Sequence, residues 1–594
     1  MQKQFIIDLI ISIMRYNAIY LYMIEAKTST QIESQRTTEM LERIHGQDIY
    51  DQIIALAQIG GREVDPFPEI PDLPHFAPSR LALTQEDMNG RLFVQNLMQE
   101  AELEVDDSHP LGIIGKLKGS NPDAKPIIIM SHYDTVPEAD MFDGVTGILS
   151  GIVAAKAIKE SGAHHDKPIW ILGVTGEESA RFRRALFGSD AMFNGLSDKT
   201  LNSTDANGVT LRQAIIDAGG DLEIVKKPFL QPADADTVFE LHVDQTGQNH
   251  RDGVDIGLVE AVAAPQRFEI TIGEELEPDE TVYPCSEYVA INVRGVAGHS
   301  GATPMNLRNR ADALPPLGEV VGYLHGLMEN IHDQSVSISI GNISIENQAL
   351  NKIPGHTQAI IRISGKDQSH VSSLIRLLNE FINEINPDYK AAHPQFPDSP
   401  ITLRGMSQQE VAEKNIHFYE HKTSLATHKL ACEIALHIQH ISEKYKDNRV
   451  VGTVGTYTIH NGQVILGLDV RGIDEYRDRA LDEMLYMIDN DHNQATMPVQ
   501  RRLLDGSGDP VSMDPSLISL GEQVIAQYDI GSVKRTISSA GHDAMNAAVA
   551  GIPTSLIFTR SNGIAHNPDG YTSPDEIEKG ARALAAIVLT RANA

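Results

Sequence analysis

Four short hydrophobic runs, at residues 127–130, 169–174, 238–241 and 555–558, constrain this chain more than anything else in it. Each is rich in Ile, Val, Leu or Phe and has the pattern of a strand buried on both faces. Residues able to bind metals follow each run: His132 with Asp134 and Asp143, then Glu177 and Glu178, then His242, and last His566. In open α/β sheets, ligands collect beyond the carboxyl ends of the strands, so a His/carboxylate cluster there reads as a metal-dependent active site. The candidate ligands are His132, Asp143, Glu178, His242 and His566, and the chemistry they suggest is hydrolysis.

At 594 residues the chain exceeds the roughly 250–300 residues that one hydrophobic core supports, so at least two domains are expected. Its 49 basic and 81 acidic residues give a net charge of −32, which repels phosphate backbones and anionic membranes; neither nucleic acid nor membrane is expected as a partner. The two cysteines, Cys285 and Cys432, lie far apart and form no thiolate metal motif, which fits a reducing, cytoplasmic setting. Residues 5–24 are mostly apolar but are interrupted by Asp8, Arg15 and Asn17 and lack a small-residue cleavage site. They are expected to be an amphipathic extension, or to precede a true start at Met23, rather than a membrane span.

From about residue 47 helices and strands alternate, with helical spacing over 48–60, 84–101 and 144–159 and a further strand over 111–117. This order predicts an α/β fold, a mixed catalytic sheet flanked by helices on both faces. After about residue 264 the texture changes and one pattern occurs twice. The first pass has strands at 287–293, 336–345 and 356–364 with helices at 312–330 and 369–385. The second has strands at 450–459 and 463–471 with helices at 424–444 and 477–488. Ser339-Ile340-Gly341 answers Thr453-Val454-Gly455. The expected organisation is an extension (1–46), a catalytic domain in two parts (47–264 and 495–594), and an inserted, duplicated α+β, ferredoxin-like lid (265–394 and 395–494).

The first motif runs from Ser131-His132-Tyr133-Asp134 to Phe142-Asp143-Gly144. An imidazole with a carboxylate suits zinc, manganese, cobalt or nickel, and Asp134, two residues from the histidine, is placed to fix its orientation. Asp143 begins a helix, where a carboxylate is favoured by the amide dipoles and is able to bridge two cations. In Gly176-Glu177-Glu178-Ser179, two adjacent acids cannot face one metal alike. Glu177 is read as the general base and Glu178 as the ligand. His542-Asp543, close in type to the site residues, is read as holding the ligands in place.

These residues, together with Ser179-Ala180-Arg181-Phe182, His299-Ser300-Gly301-Ala302-Thr303-Pro304-Met305, Ser539-Ala540-Gly541-His542-Asp543-Ala544 and Gly563-Ile564-Ala565-His566, resemble the di-metal amidohydrolases. Within them the sequence is most similar to N-carbamoyl-L-amino acid hydrolases, allantoate amidohydrolases and β-ureidopropionases. The resemblance implies two divalent ions per site, one held by His132 and His242, the other by Glu178 and His566, with Asp143 between them and Glu177 as base. It also implies that His299 polarises the scissile carbonyl, that Asn351 binds substrate, and that an arginine in an Asp-x-Arg pattern holds the substrate carboxylate. The first lid pass has Ser364 where that arginine is expected, whereas Leu468-Asp469-Val470-Arg471 in the second pass fits, so Arg471 is the candidate. A second departure is His242-Val243-Asp244-Gln245-Thr246, where the family has His-Ile-Glu-Gln-Gly.

The expected activity is hydrolysis of a linear amide or ureido C–N bond in a small molecule carrying a carboxylate. An aminoacylase or dipeptidase with the same metals is the alternative enzyme, and a catalytically silent binding protein the alternative of another class. A duplicated lid implies a monomer; a single functional lid would imply a homodimer.

Overall fold

The computed structural model describes residues 33–594 except 68–73, 280–283, 301–302, 304, 306–309, 332–335, 351, 393–398, 420, 447–449, 496, 505–508 and 564. The apolar stretch at 5–24 therefore lies outside the described residues. Among the described residues no helix is long and apolar enough to cross a membrane.

The first part of the chain supplies helices α1 (Gly46–Ala57), α2 (Gln85–Glu100) and α3 (Val145–Ser161) and strands β1 (Glu104–Asp106), β2 (Gly112–Leu117), β3 (Ile127–His132), β4 (Ile169–Val174), β5 (Thr237–Val243) and β6 (Ile256–Val262). Thr84 caps α2 by accepting from the Asp87 amide, which satisfies one of the free donors at the helix start. The period of two in β3 divides its residues between two cores. Ile127 and Ile129 join the core beneath α3, whereas Ile128 and Met130 face the second core on the other side. That two-sided burial is why the run reads as continuously hydrophobic.

The chain then leaves for the lid. It forms β7 (Ala264–Ile272), β8 (Cys285–Arg294), α4 (Leu314–Asn330), β9 (Val336–Ile345), β10 (His356–Gly365), α5 (Gln368–Ala392), β11 (Ile401–Met406), α6 (His421–Lys444), β12 (Val451–His460), β13 (Gln463–Gly472), α7 (Asp474–Ala495) and β14 (Val499–Leu503). These strands make two antiparallel sheets, ordered β9-β10-β8-β11 and β12-β13-β7-β14. Each order places the strands of a unit as second, third, first, fourth. Both second strands carry a bulge at the matching glycine, between Ile340 and Asn342 and between Val454 and Thr456.

The sheets do not separate at residue 394 as the sequence pattern suggested. β7 lies before the first pass yet pairs with β13 and β14, and β11 lies after it yet pairs with β8. One unit, 285–406, is thus nested inside another formed by β7 and everything from α6 to β14. Helix α4 packs on α6, and β9 approaches β12 across the junction.

The chain returns with β15 (Val511–Ser512), α8 (Pro515–Gln527), β16 (Val533–Ser538), β17 (Thr554–Thr559) and α9 (Pro574–Ala592). The completed nine-stranded sheet is ordered β15-β6-β17-β5-β3-β4-β2-β1, with β16 beside β6. Strands β4, β3, β5 and β17 are mutually parallel, so their carboxyl ends share one edge. Helices α1, α3 and α9 cover one face. Ser573 and Glu576 form a reciprocal capping box at the start of α9.

The bulge glycines sit where a side chain has no room: a Cβ on Gly455 would lie 2.2 Å from the Ala349 carbonyl oxygen, whereas one on Gly322 in α4 meets nothing within 4 Å. Gly455→Ala is expected to destabilise the protein by about 1–3 kcal/mol through overpacking. Gly322→Ala should stabilise it by about 0.5–1 kcal/mol through helix propensity. Thermal unfolding of the two variants checks both signs.

Candidate metal centre

The shared edge of β4, β3, β5 and β17 brings the polar residues together. His132 ends β3, His242 is the penultimate residue of β5, Glu177 and Glu178 follow β4, and His566 follows β17. Asp143 precedes Gly144, the residue before α3. Gly144 has φ +68°, and a Cβ there would fall 2.3 Å from the His132 ring, so the turn that presents Asp143 requires glycine.

Two groups result, His132 with Asp143 and His242, and Asp143 with Glu178 and His566; the donor atoms within each lie within 4.8 Å of one another. Asp143 belongs to both. Its Oδ1 lies 3.0 Å from His242 Nε2 and its Oδ2 3.2 Å from His566 Nε2, while His566 Nε2 is also 3.1 Å from Glu178 Oε1. His132 Nε2 is buried with no hydrogen-bond partner, 4.0 Å from Glu177 Oε2. An orphaned imidazole nitrogen in a mixed His/carboxylate set fits a divalent cation of the zinc, manganese, cobalt or nickel kind. The sites so defined are candidate metal-ligand groups.

The other ring nitrogens are held by the backbone: His132 Nδ1 by the Asp134 carbonyl at 3.1 Å and His242 Nδ1 by the Val243 carbonyl at 3.0 Å. The Asp134 carboxylate, 3.6 Å from His132 Nδ1, mainly accepts from the amides of Glu177 and Glu178, at 3.3 and 3.2 Å. Asp134 therefore anchors the acid pair more directly than the histidine. His542 packs edge-on against His242, ring centroids 4.6 Å apart, with its Nε2 2.9 Å from Ser538 Oγ. Asp543 accepts from Ser189 Oγ at 2.6 Å.

Burial opposes the charge on Asp143, but the imidazoles of His242 and His566 outweigh it and hold its carboxyl well below the usual range. Glu177 behaves oppositely. Burial, reinforced against His132 by the negative charges of Glu178, Asp543 and Asp143, pushes it well above the usual carboxylate range. The two acids of the site are thus shifted in opposite directions from the ordinary carboxylate range.

A cavity of about 700 Å³ opens on this cluster, lined by Glu177, Glu178, His566, Gln245, Arg267 and Arg471 among others. Arg471 is buried, and its guanidinium donates to Asp469 Oδ2 at 3.0 Å and to the Ser539 carbonyl at 3.3 Å. His299 pairs with Lys352 in a two-residue bridge. Asn351 and the side chain of His299 lie outside the described residues. The neighbouring Ser300 donates to Asp469 Oδ2 at 2.8 Å, and buried Arg310 donates to the Ser300 carbonyl and to Gly452 O at 3.2 Å each. The backbone carrying His299 is therefore tied to the sheet that carries Arg471.

Several residues of this site escaped sequence reasoning. Asp140 accepts from the amides of Phe142, Asp143 and His566, at 3.0, 2.9 and 3.1 Å, and burial with the nearby Asp143 charge pushes its carboxyl up to about 7. Gln245 Nε2 donates to both oxygens of Asp143, at 3.0 and 3.1 Å. Glu240, buried in β5, accepts from the Ala544 amide at 2.6 Å. Only Gln245 carried a signal, its place in the segment after His242.

The sequence profile of peptidase family M20/M25/M40 matches residues 128–590. The chain is 26% identical over 319 residues to an N-carbamoyl-L-amino acid amidohydrolase of Geobacillus stearothermophilus, covering 54% of this chain and 69% of that protein. It is also 26% identical over 344 residues to a ureidoglycolate hydrolase of Arabidopsis thaliana, covering 56% and 67%. Its fold matches the crystal structure of an amidase of the hydantoinase/carbamoylase family from Burkholderia multivorans, with a TM-score of 0.54 at 20% identity over 92% of this chain and 98% of that one. With a mixed sheet, an inserted lid and a family match spanning most of its length, this chain belongs to peptidase family M20/M25/M40.

Proposed function

We propose that the protein hydrolyses a linear amide or ureido C–N bond in a small carboxylic acid, of the N-carbamoyl-L-amino acid, ureidopropionate or allantoate type. The observation that carries this reading is the pair of ligand groups sharing Asp143, with Glu177 beside them. His132 and His242 would hold one divalent ion, Glu178 and His566 the other, with Asp143 between. Such ions, when bound, polarise the scissile carbonyl and acidify water.

The protein's own groups do the rest. Glu177, whose burial favours the protonated form once a proton arrives, takes a proton from the attacking water and carries it to the leaving nitrogen. Arg471 binds the substrate carboxylate through its planar donor fork. His299 donates to the carbonyl oxygen, and Asn351, next to the bridge that holds His299, binds substrate. The names of the relatives, which act on carbamoyl amino acids and ureidoglycolate, support the substrate class.

The nested unit, 285–406, is a second copy of the lid unit that surrounds it. Its identical strand order, the matching bulges and the packing of α4 on α6 support this reading. One copy brings His299 and the other Arg471, joined through Ser300 and Asp469. A single chain then completes its own site.

Three outcomes are expected. Glu177→Gln should keep its metal and lose about 10²–10⁴-fold in turnover, whereas Asp143→Ala should lose metal as well; metal analysis beside ammonia release from ureido acids, with amino-acid release from dipeptides as the competing outcome, separates the roles. Asp140→Ala should weaken metal retention by about 10–100-fold, read by chelator competition, because it frees both the Asp143 turn and the His566 amide. Light scattering of the active enzyme at low concentration should give the mass of one chain, and an obligate dimer would overturn the self-completed site.

A further inference from the structure

The inner lid unit is an internal control for the outer one. In the outer sheet Arg267 stands directly opposite Asp469, and Arg471 follows two residues along the same strand, so the three side chains leave one face of the sheet. The bulges align the units. Val454 pairs with Leu468 as Ile340 pairs with Ile361, which makes Arg362 the counterpart of Asp469 and Ser364 that of Arg471. Tyr288, opposite Arg362, takes the place of Arg267. A sheet of the same strand order therefore stands without the Arg-Asp-Arg set, and the fold alone does not require it.

The two faces are also covered differently. On the inner unit Ala290, Ile360 and Met406 pack against Val411 and Phe418, while the Arg362 guanidinium lies 4.9 Å from the Phe418 ring and pairs with Asp279. On the outer unit Arg267 and Arg471 line the cavity. The carboxylate between them is buried, and its Oδ2 is a meeting point. It accepts from Ser300 Oγ at 2.8 Å and from Arg471 Nη2 and Nε at 3.0 and 3.1 Å. Ser300 belongs to the inner unit and follows His299, and Arg310 holds its carbonyl at 3.2 Å. Arg471 Nη1 donates to the Ser539 carbonyl of the catalytic domain at 3.3 Å. A buried carboxylate is costly unless fully answered, and one unit does without it, so its retention in the other calls for a reason beyond packing.

We infer that Asp469 is a positioning residue that aims the Arg471 fork by reference to the Ser300 hydroxyl, so that recognition of the substrate carboxylate depends on a buried side chain of the inner unit. This rests on the proposed role of Arg471 in ureido or amide hydrolysis and deepens it. Asp469 holds the guanidinium along its Nε–Nη2 edge, which fixes its plane and leaves the donors turned away from that edge preorganised for an incoming carboxylate. Without the Ser300 hydroxyl the Asp469–Arg471 pair loses its fixed reference, whereas Arg310 still holds the loop backbone.

The test uses N-carbamoyl-L-methionine and its carboxamide, which differ in the carboxylate alone, with calorimetric binding to metal-loaded Glu177→Gln protein as a readout independent of turnover. That protein should bind the carboxylate at least ten-fold tighter. Adding Ser300→Ala should shrink the preference at least three-fold, and adding Asp469→Asn should abolish most of it. Neither change should shrink it further once Arg471→Gln is present, because all three then act on one interaction. In the otherwise wild-type enzyme, Ser300→Ala should raise KM for the carboxylate more than it lowers kcat. Arg362→Gln, at the matching place in the inner unit, should lower Tm yet keep the preference, which separates positioning from loss of stability. A Ser300→Ala variant that keeps the full preference, or that weakens both compounds alike, would overturn the inference, as would a parent protein without preference for the carboxylate. If the preference is present and Ser300→Ala reduces it while the wild type hydrolyses neither compound, the positioning role stands and the reaction class fails.

Discussion

Buried carboxyl groups govern this structure. Asp134, Asp140, Asp143, Glu178, Glu240 and Asp543 are all buried at one edge of one sheet, around the four imidazoles of His132, His242, His542 and His566. Carboxylates removed from water at that density are tolerated only where hydrogen bonds and cations answer them. The protein answers with amides. Asp134 takes those of Glu177 and Glu178, Asp140 those of Phe142, Asp143 and His566, and Glu240 that of Ala544. Each such bond also fixes a loop, so the strand-end turns are positioned by the same contacts that hold the charge. What amides leave unanswered faces the cavity, where the divalent ions of the proposed mechanism would sit.

The part of this arrangement legible in the sequence was the part written in contiguous residues. Strands β3, β4, β5 and β17 are buried on both faces and read as hydrophobic runs, though their polar ends, His132 and His242, belong to the strands and extended them past the runs. Strands β11 and β14 escaped because they lie at sheet edges: β14, Val-Gln-Arg-Arg-Leu, is exposed over four of its five residues. Strand β7 does alternate, with Phe268, Ile270 and Ile272 buried, but it begins two residues after β6 ends and no turn signal separates them. The repeated pattern was visible, including the two glycines that became bulges. Its nesting was not, since strand order within a sheet leaves no mark on local periodicity.

The site followed the same rule. Residues that end or follow a strand, such as His132 or Glu177 and Glu178, announce themselves by position. Asp140 and Arg310 act through partners 426 and 142 residues away, and nothing in their neighbourhood distinguishes them from turn or surface residues. Arg267 is intermediate, an arginine in an alternating strand whose meaning comes only from standing opposite Asp469.

The nesting of one lid unit within the other also gives the two sheets very different sequence separations between paired strands. Inner strands β8 to β11 find all their sheet partners between residues 285 and 406, although helix α4 of that unit packs on α6 of the outer one and both share one core. Strand β7 spans a far longer separation. Its neighbours β13 and β14 begin at Gln463 and Val499, and bringing such distant segments together costs chain entropy that a folded inner unit, acting as a compact spacer, reduces. The same β7 carries Arg267, so this wall of the cavity exists only where the outer sheet is closed around the inner unit.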